Sequence, residues 1–209
     1  MRSQRLAPLS GIVFVVLVVV GFIPVGGSTP DVNDSTAKIT SFWQDHHDKE
    51  VVAALLVGLG AIFLGLFVAA LRARLRRTGE GSSFSSNLIL IGGTASVAGF
   101  LVAVGFHIAL ADGGDHNYSP QAMQALNVLD NDSFFAFAIP LGIMMFGCAG
   151  ETIRAGGALP TWLGWVALIL GIVTATPVGF IAFALIGIWI IIASIMLSMR
   201  AGAAAPAAA

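Results

Sequence analysis

The sequence predicts an all-α protein: a six-span transmembrane helix bundle with two short amphipathic helices on its outer face. Three observations carry that expectation. Apolar residues make up 57% of the 209 and charged residues only 10%, whereas a soluble domain carries about 25% charged residues and needs them to cover its surface against water. Mean hydropathy is accordingly high, at +0.92. The apolar residues are gathered into runs, each near the roughly 20 residues that take a helix across the hydrocarbon, and a helix is the expected form because it satisfies every backbone group internally.

The runs cover residues 9–25, 51–71, 87–111, 133–153, 161–176 and 178–199 within one domain over 1–200, followed by an Ala-rich tail at 201–209. The first, "LSGIVFVVLVVVGFIPV", is Val-rich with few small residues and suits a lipid-exposed position. Arg2 and Arg5 before it and "VGGS" after it also fit a signal peptide. The run exceeds the usual apolar region of about 7–15 residues, so a retained span is expected. Thr176-Pro177-Val178-Gly179 interrupts the last long run. Proline and glycine are the strongest punctuators, so a tight hairpin is expected there, giving six spans rather than five.

Basic residues set the orientation. With the N-terminus inside, Arg2, Arg5, Arg72, Arg74, Arg76, Arg77, Arg154 and Arg200 lie on the inner side, and only Lys38 and Lys49 on the outer. This division predicts a multi-pass protein of the cytoplasmic (inner) membrane with both termini cytoplasmic. The "RARLRR" cluster stops the second span among lipid headgroups. A net charge of −1 gives no reason to expect nucleic acid; membrane lipids are the expected surroundings, with a second copy or a membrane-protein partner open. The single cysteine, Cys148, excludes an internal disulfide and is expected as a small buried hydrophobe.

Two outer segments carry most of the polar residues. In "DVNDSTAKITSFWQDHHDKE", Asp34 or Ser35 is a fair N-cap, and Ile39, Phe42, Trp43 and His46 share a helical face. A short amphipathic helix lying on the outer surface is expected. His47 is turned about 100° from His46. Asp48 suits a cap for the second span, and Glu50 the positive end of its dipole. In "DGGDHNYSPQAMQALNVLDNDS", Ser119-Pro120 reads as N-cap and first helical residue. Ala122, Ala125, Leu126 and Leu129 form the apolar stripe of a second outer helix, and a flexible "DGGDHNY" leads into it.

The spans hold no acidic or basic residue at midplane. His107 lies a turn inside the outer end of the third and Glu151 at the inner end of the fourth. A proton pump or a carrier of charged substrates usually needs such groups, and no inverted repeat is evident. Enzyme signatures are missing too: "HHDKE" is not HExxH, there is no GxSxG, and Ser96 has no sequence-evident base. No catalytic residue is assigned, and a non-enzyme is the favoured reading.

Small residues are more informative. Ala54/Gly58 and Ala61/Gly65 on the second span, and Gly92/Ser96 and Ala95/Gly99 on the third, predict that these two spans pack closely on each other. Pro140 in the fourth span should kink its helix or, with Phe135 and His107, line a small outward-facing cavity. Basic N-terminus, first span, "TPDVNDSTAKITSFWQDHHDKE" and, after the fourth span, "RAGGALPTWLGW" together resemble the uncharacterised six-helix bacterial membrane proteins classed only as domains of unknown function. The resemblance implies the topology and no activity.

Three functions follow as expectations. The first is a non-enzymatic accessory, sensor or scaffold subunit. The second is a small permeation or binding protein for a neutral or lipid-like ligand, favoured if a ligand-sized cavity lies between the second, third and fourth spans. The third is an outer-face binder of zinc or another divalent metal, or a metal-dependent membrane enzyme. Its candidate ligands are His46, His107, His116, Asp112 and Asp132, since imidazole with carboxylate suits first-row metals. His107 is also expected to pair with Asp130 or Asp132 in a contact that responds to pH.

Overall fold

The computed structural model describes residues 6–76, 83–155 and 158–203, and not the side chains of Ser83, Ala155 and 201–203. Arg2, Arg5, Arg77, Glu80, part of the glycine-rich stretch before Pro160 and most of the tail lie outside the described residues. The chain is all-α, as expected, with no strand among the described residues. Its helices are α1 (Ser10–Val20), α2 (Thr36–Leu75), α3 (Ser83–Asp115), α4 (Pro120–Asp132), α5 (Phe134–Ala155), α6 (Thr161–Val173) and α7 (Gly179–Ala203). A 3-10 turn, Ala7–Leu9, leads into α1, and a π-helical turn, Gly21–Gly26, with Pro24 inside it, extends α1.

Five helical segments are long and apolar enough to cross a membrane: Ala7–Gly26, Thr36–Leu75, Phe84–Asp115, Pro120–Arg154 and Gly179–Arg200. The sixth apolar helix, α6, has 13 residues, about 20 Å at 1.5 Å per residue. It stops early because the Thr174 and Thr176 hydroxyls donate to the Gly171 and Val173 carbonyls, at 2.8 and 2.7 Å, ahead of the turn at Pro177.

The spans stand in chain order around a ring. α1 packs on α2, α2 on α3, α3 on α5, α5 on α6, α6 on α7, and α7 returns to α1. Phenylalanines fill the middle: Phe100 stacks on Phe137 at 4.1 Å, and Phe14, Phe134 and Phe183 close around that pair. α2 and α3 do pack together, but not through the closest small residues. A Cβ on Gly58 or Gly65 would meet only Val104 or Val97, at 3.7 and 3.8 Å. Gly92 and Gly99 instead face α5, where a Cβ would run into the backbone of Met144 and Ala136. The reason lies in α5: Pro140 has no N–H to give the Ala136 carbonyl, and Gly99 lets α3 close over that carbonyl. The Ser96 hydroxyl, beside it, donates to the Phe137 carbonyl at 3.1 Å.

At one end the bundle continues into a cap. α2 is a single helix of 40 residues, so the first amphipathic segment is its N-terminal extension rather than a separate helix lying on the surface. Nothing breaks the chain between Thr36 and Val51: no Pro or Gly occurs there, and the Ser35 hydroxyl caps the start by accepting the Lys38 N–H. Just before it, the Lys38 ammonium lies 2.7 Å from Asp34 and holds that exposed carboxyl below its ordinary range.

α3 likewise runs through the expected linker as far as Asp115. Gly113 and Gly114 serve contact rather than flexibility. A Cβ on Gly114 would lie 2.7 Å from the Trp43 backbone, and one on Gly113 2.7 Å from the Met123 sulfur. Asn117, at φ 54°, ends the helix, a conformation Asn tolerates better than most residues. α4 turns Met123 and Asn127 inward and leaves Ala125 and Leu129 exposed, so its buried face differs from the expected Ala/Leu stripe. Ile39, Trp43, Leu110, Ala111 and Met123 form a small core of the cap's own.

Candidate functional site

Each helix of the cap sends one ionisable side chain to the junction with the membrane bundle. Glu50 comes from α2, His107 from α3 and Asp130 from the last turn of α4. His107 lies between the two acids: its Nε2 is 3.1 Å from Glu50 Oε2, and its Nδ1 is 3.1 and 3.2 Å from the Asp130 oxygens. The Trp43 ring stands edge-on to the imidazole, with centroids 4.9 Å apart, and Glu50 follows Trp43 by two turns on the same face of α2. Side-chain exposure is 0% at Glu50, 19% at His107 and 12% at Asp130.

The proton inventory follows from the geometry. A neutral imidazole carries one N–H, and only the imidazolium donates at both nitrogens. With both acids ionised, the cluster therefore holds one imidazolium between two carboxylates and has a net charge of −1. A neutral cluster needs one more proton, on a carboxyl. Glu50 Oε1 is buried and has no hydrogen-bond partner, so the surplus charge has an end without a donor. Such a group is costly in a low-dielectric setting unless something pairs with it.

That carboxylate lies in the wall of a cavity of about 210 Å³. From α2 come Glu50, Ala53, Ala54 and Val57; from α3, Ala103, Val104 and His107; from α4, Asp130 and Asn131; from Ser133 and α5, Phe134 and Phe137. The π-helical turn supplies the remaining side through Gly21, Phe22 and Gly26, with Gly27 and Thr29 beyond it. Glycine matters here: a Cβ on Gly26 would lie 2.8 Å from the Gly21 carbonyl, and Gly27, just after the turn, takes φ 75°, open to glycine at little cost. Polar groups thus cluster at one side of a largely apolar chamber, the usual make-up of a ligand pocket.

The connection after Gly27 is strapped across α4. Gln124, Asn127 and Asn131 share one face and donate in turn to the carbonyls of Val32, Asp31 and Pro30, at 3.1, 3.2 and 3.3 Å. The strap runs antiparallel to the helix and holds the Gly27–Thr29 wall in place.

Of the residues singled out from the sequence, His107 alone reaches this cluster, with Asp130 as its partner. His46 stacks on Phe42 at 4.4 Å, and its Nδ1 donates to the Phe42 carbonyl. His47 rather than His46 approaches Asp112, at 3.7 Å. His116 is exposed, with Nδ1 donating to the Asp112 carbonyl, and lies 3.8 Å from Asp115. Asp132 is exposed, and Asp130 is the aspartate on His107. Among the described residues no three His, Cys, Asp or Glu side chains form a group that could hold a metal ion. Phe135 is half exposed, and Phe134 and Phe137 line the cavity; Pro140 faces Gly92, outside the lining. Cys148 is buried.

Glu50 is the participant that sequence reasoning assigned only to a helix dipole. A signal was present: Ile39, Trp43, Glu50 and Val57 are spaced by four, seven and seven residues, the period of one buried helical face, once α2 is read as continuous. No family model matches the chain, and no curated protein or solved structure is significantly similar to it.

Proposed function

We propose that this protein is a membrane-embedded binding or permeation protein for a small ligand, mostly apolar, that presents a hydrogen-bond donor to Glu50. The carrying observation is Glu50, a residue of the cavity wall whose Oε1 is buried without a partner. A cavity of about 210 Å³ has room for about seven waters at ~30 Å³ each, or for a small organic molecule. Its presence between the first four spans favours this reading over a purely structural scaffold, which needs no chamber. n-Butanol, a neutral probe with an apolar tail and one hydroxyl, should raise the Tm of the protein in nanodiscs. Ala54→Phe, which fills the chamber from α2, should remove that rise. A parent protein whose Tm is unmoved by saturating n-butanol would sink the reading.

The proposed setting is the cytoplasmic membrane of a bacterium, with the arginine end inside and the cap outside. The support is the charge division: Arg72, Arg74, Arg76, Arg154 and Arg200 lie at the end opposite the cap, and basic residues are retained on the cytoplasmic side. In a Cys148→Ala background, Asn117→Cys should react with an impermeant thiol reagent on intact cells. Reaction only after the cells are opened would reverse the orientation.

A further inference from the structure

Resting on that reading, we propose that the preferred occupant is a primary ammonium on a short apolar chain, taken up at Glu50. The cluster is one positive charge short. Glu50, His107 and Asp130 together carry −1 when both acids are ionised, and Glu50 lines the cavity with its Oε1 buried and unpartnered. Two species can supply the missing charge at that oxygen: a proton on the carboxyl or a cationic donor in the chamber. An ammonium offers three N–H donors and a full charge, and charge-assisted hydrogen bonds are about twice as strong as neutral ones.

The surroundings leave that oxygen uncontested. α3 contributes His107, whose Nε2 is already on Glu50 Oε2, and α4 contributes Asp130, occupied by Nδ1 of the same ring. From α5 the cavity receives Phe134 and Phe137, and from the end of α1 glycines and Phe22, none of them titratable. Lys49 is the nearest side-chain cation on α2, but it is exposed and its Nζ lies by Gly27. Asp31, on the strap, is exposed as well. The aliphatic wall of Ala53, Ala54, Val57 and Val104 accepts the ligand's chain, and an anionic head would meet two carboxylates.

Binding of n-butylammonium, n-butanol and n-butyrate to the full-length protein in phosphatidylcholine nanodiscs tests this by titration calorimetry at pH 8. Butylammonium should bind about tenfold or more tightly than butanol, and butyrate should not bind. In Glu50→Gln the preference for the amine should drop below about twofold. Butanol binding as tightly as butylammonium would overturn the ammonium assignment while leaving the cavity a ligand site. Failure of all three probes would overturn both. An ammonium can also come from a lipid headgroup. Added phosphatidylethanolamine should then weaken butylammonium by competition, and an unchanged affinity assigns the site to a free amine.

Discussion

His107 Nε2 lies 3.1 Å from Oε2 of Glu50, a residue 57 positions earlier in the chain. Through the other ring nitrogen the same imidazole reaches Asp130, on a third helix. One side chain with two handles therefore ties the three helices of the cap together where they meet the membrane bundle.

Removing one member of such a buried set exposes the others to the cost of unpaired charge, about 3–5 kcal/mol. His107→Ala is expected to lower stability by about 3 kcal/mol, with Glu50→Gln costing less because the amide keeps a polar partner. A double-mutant cycle over Glu50 and His107, read by denaturant unfolding in detergent micelles, should give a coupling of at least about 1 kcal/mol. Additive effects would mean that the contact carries no energy.

The glycines of α2 and α3 should respond with opposite sign. Gly99→Ala places a Cβ against the Ala136 backbone and should cost about 1–3 kcal/mol, the usual penalty of overpacking. Gly58→Ala meets only the Val104 methyls at 3.7 Å, and relief of glycine's backbone entropy should make it neutral or stabilising by about 0.5–1 kcal/mol. Comparison of the two Tm shifts checks both; a matching loss would show α2 and α3 to be as tightly apposed as α3 and α5.

The amide ladder makes a local prediction. Gln124→Ala and Asn131→Ala each remove a hydrogen bond to the strap, worth about 1 kcal/mol. Hydrogen exchange over residues 28–35 should rise several-fold in the double variant while exchange in α3 is unchanged. Strap protection equal to the parent's would show that its position does not depend on α4.

Much of this fold is written in local patterns. The apolar runs, the Ser35 and Ser119 caps, the stop at Pro177 and the partnership of His107 with an aspartate of the second polar segment all follow from spacing and chemistry. What escaped were choices decided by contact. An outer helix and the second span read as two elements with a cap at Asp48 because polarity stands out in an apolar chain, yet without a breaker the helix simply continues. "DGGD" reads as flexible because glycine is, but Gly114 sits where only glycine lets α3 close on Trp43. The α4 face was misjudged because Asn127 and Asp130 turn inward to polar partners that hydrophobic periodicity does not register. Glu50 acquires its meaning only when three separate helices meet, which no single segment encodes.

The unbroken α2 has a mechanical side. Its 40 residues make a rod of about 60 Å, twice the hydrocarbon thickness of ~30 Å. Near its upper third the rod carries Glu50; near its foot it carries Arg72, whose guanidinium grips Ser86 and Asn87 at the start of α3. A rod has no slack. One unbroken helix thus joins the His107 contact at Glu50 to the Ser86 contact at Arg72.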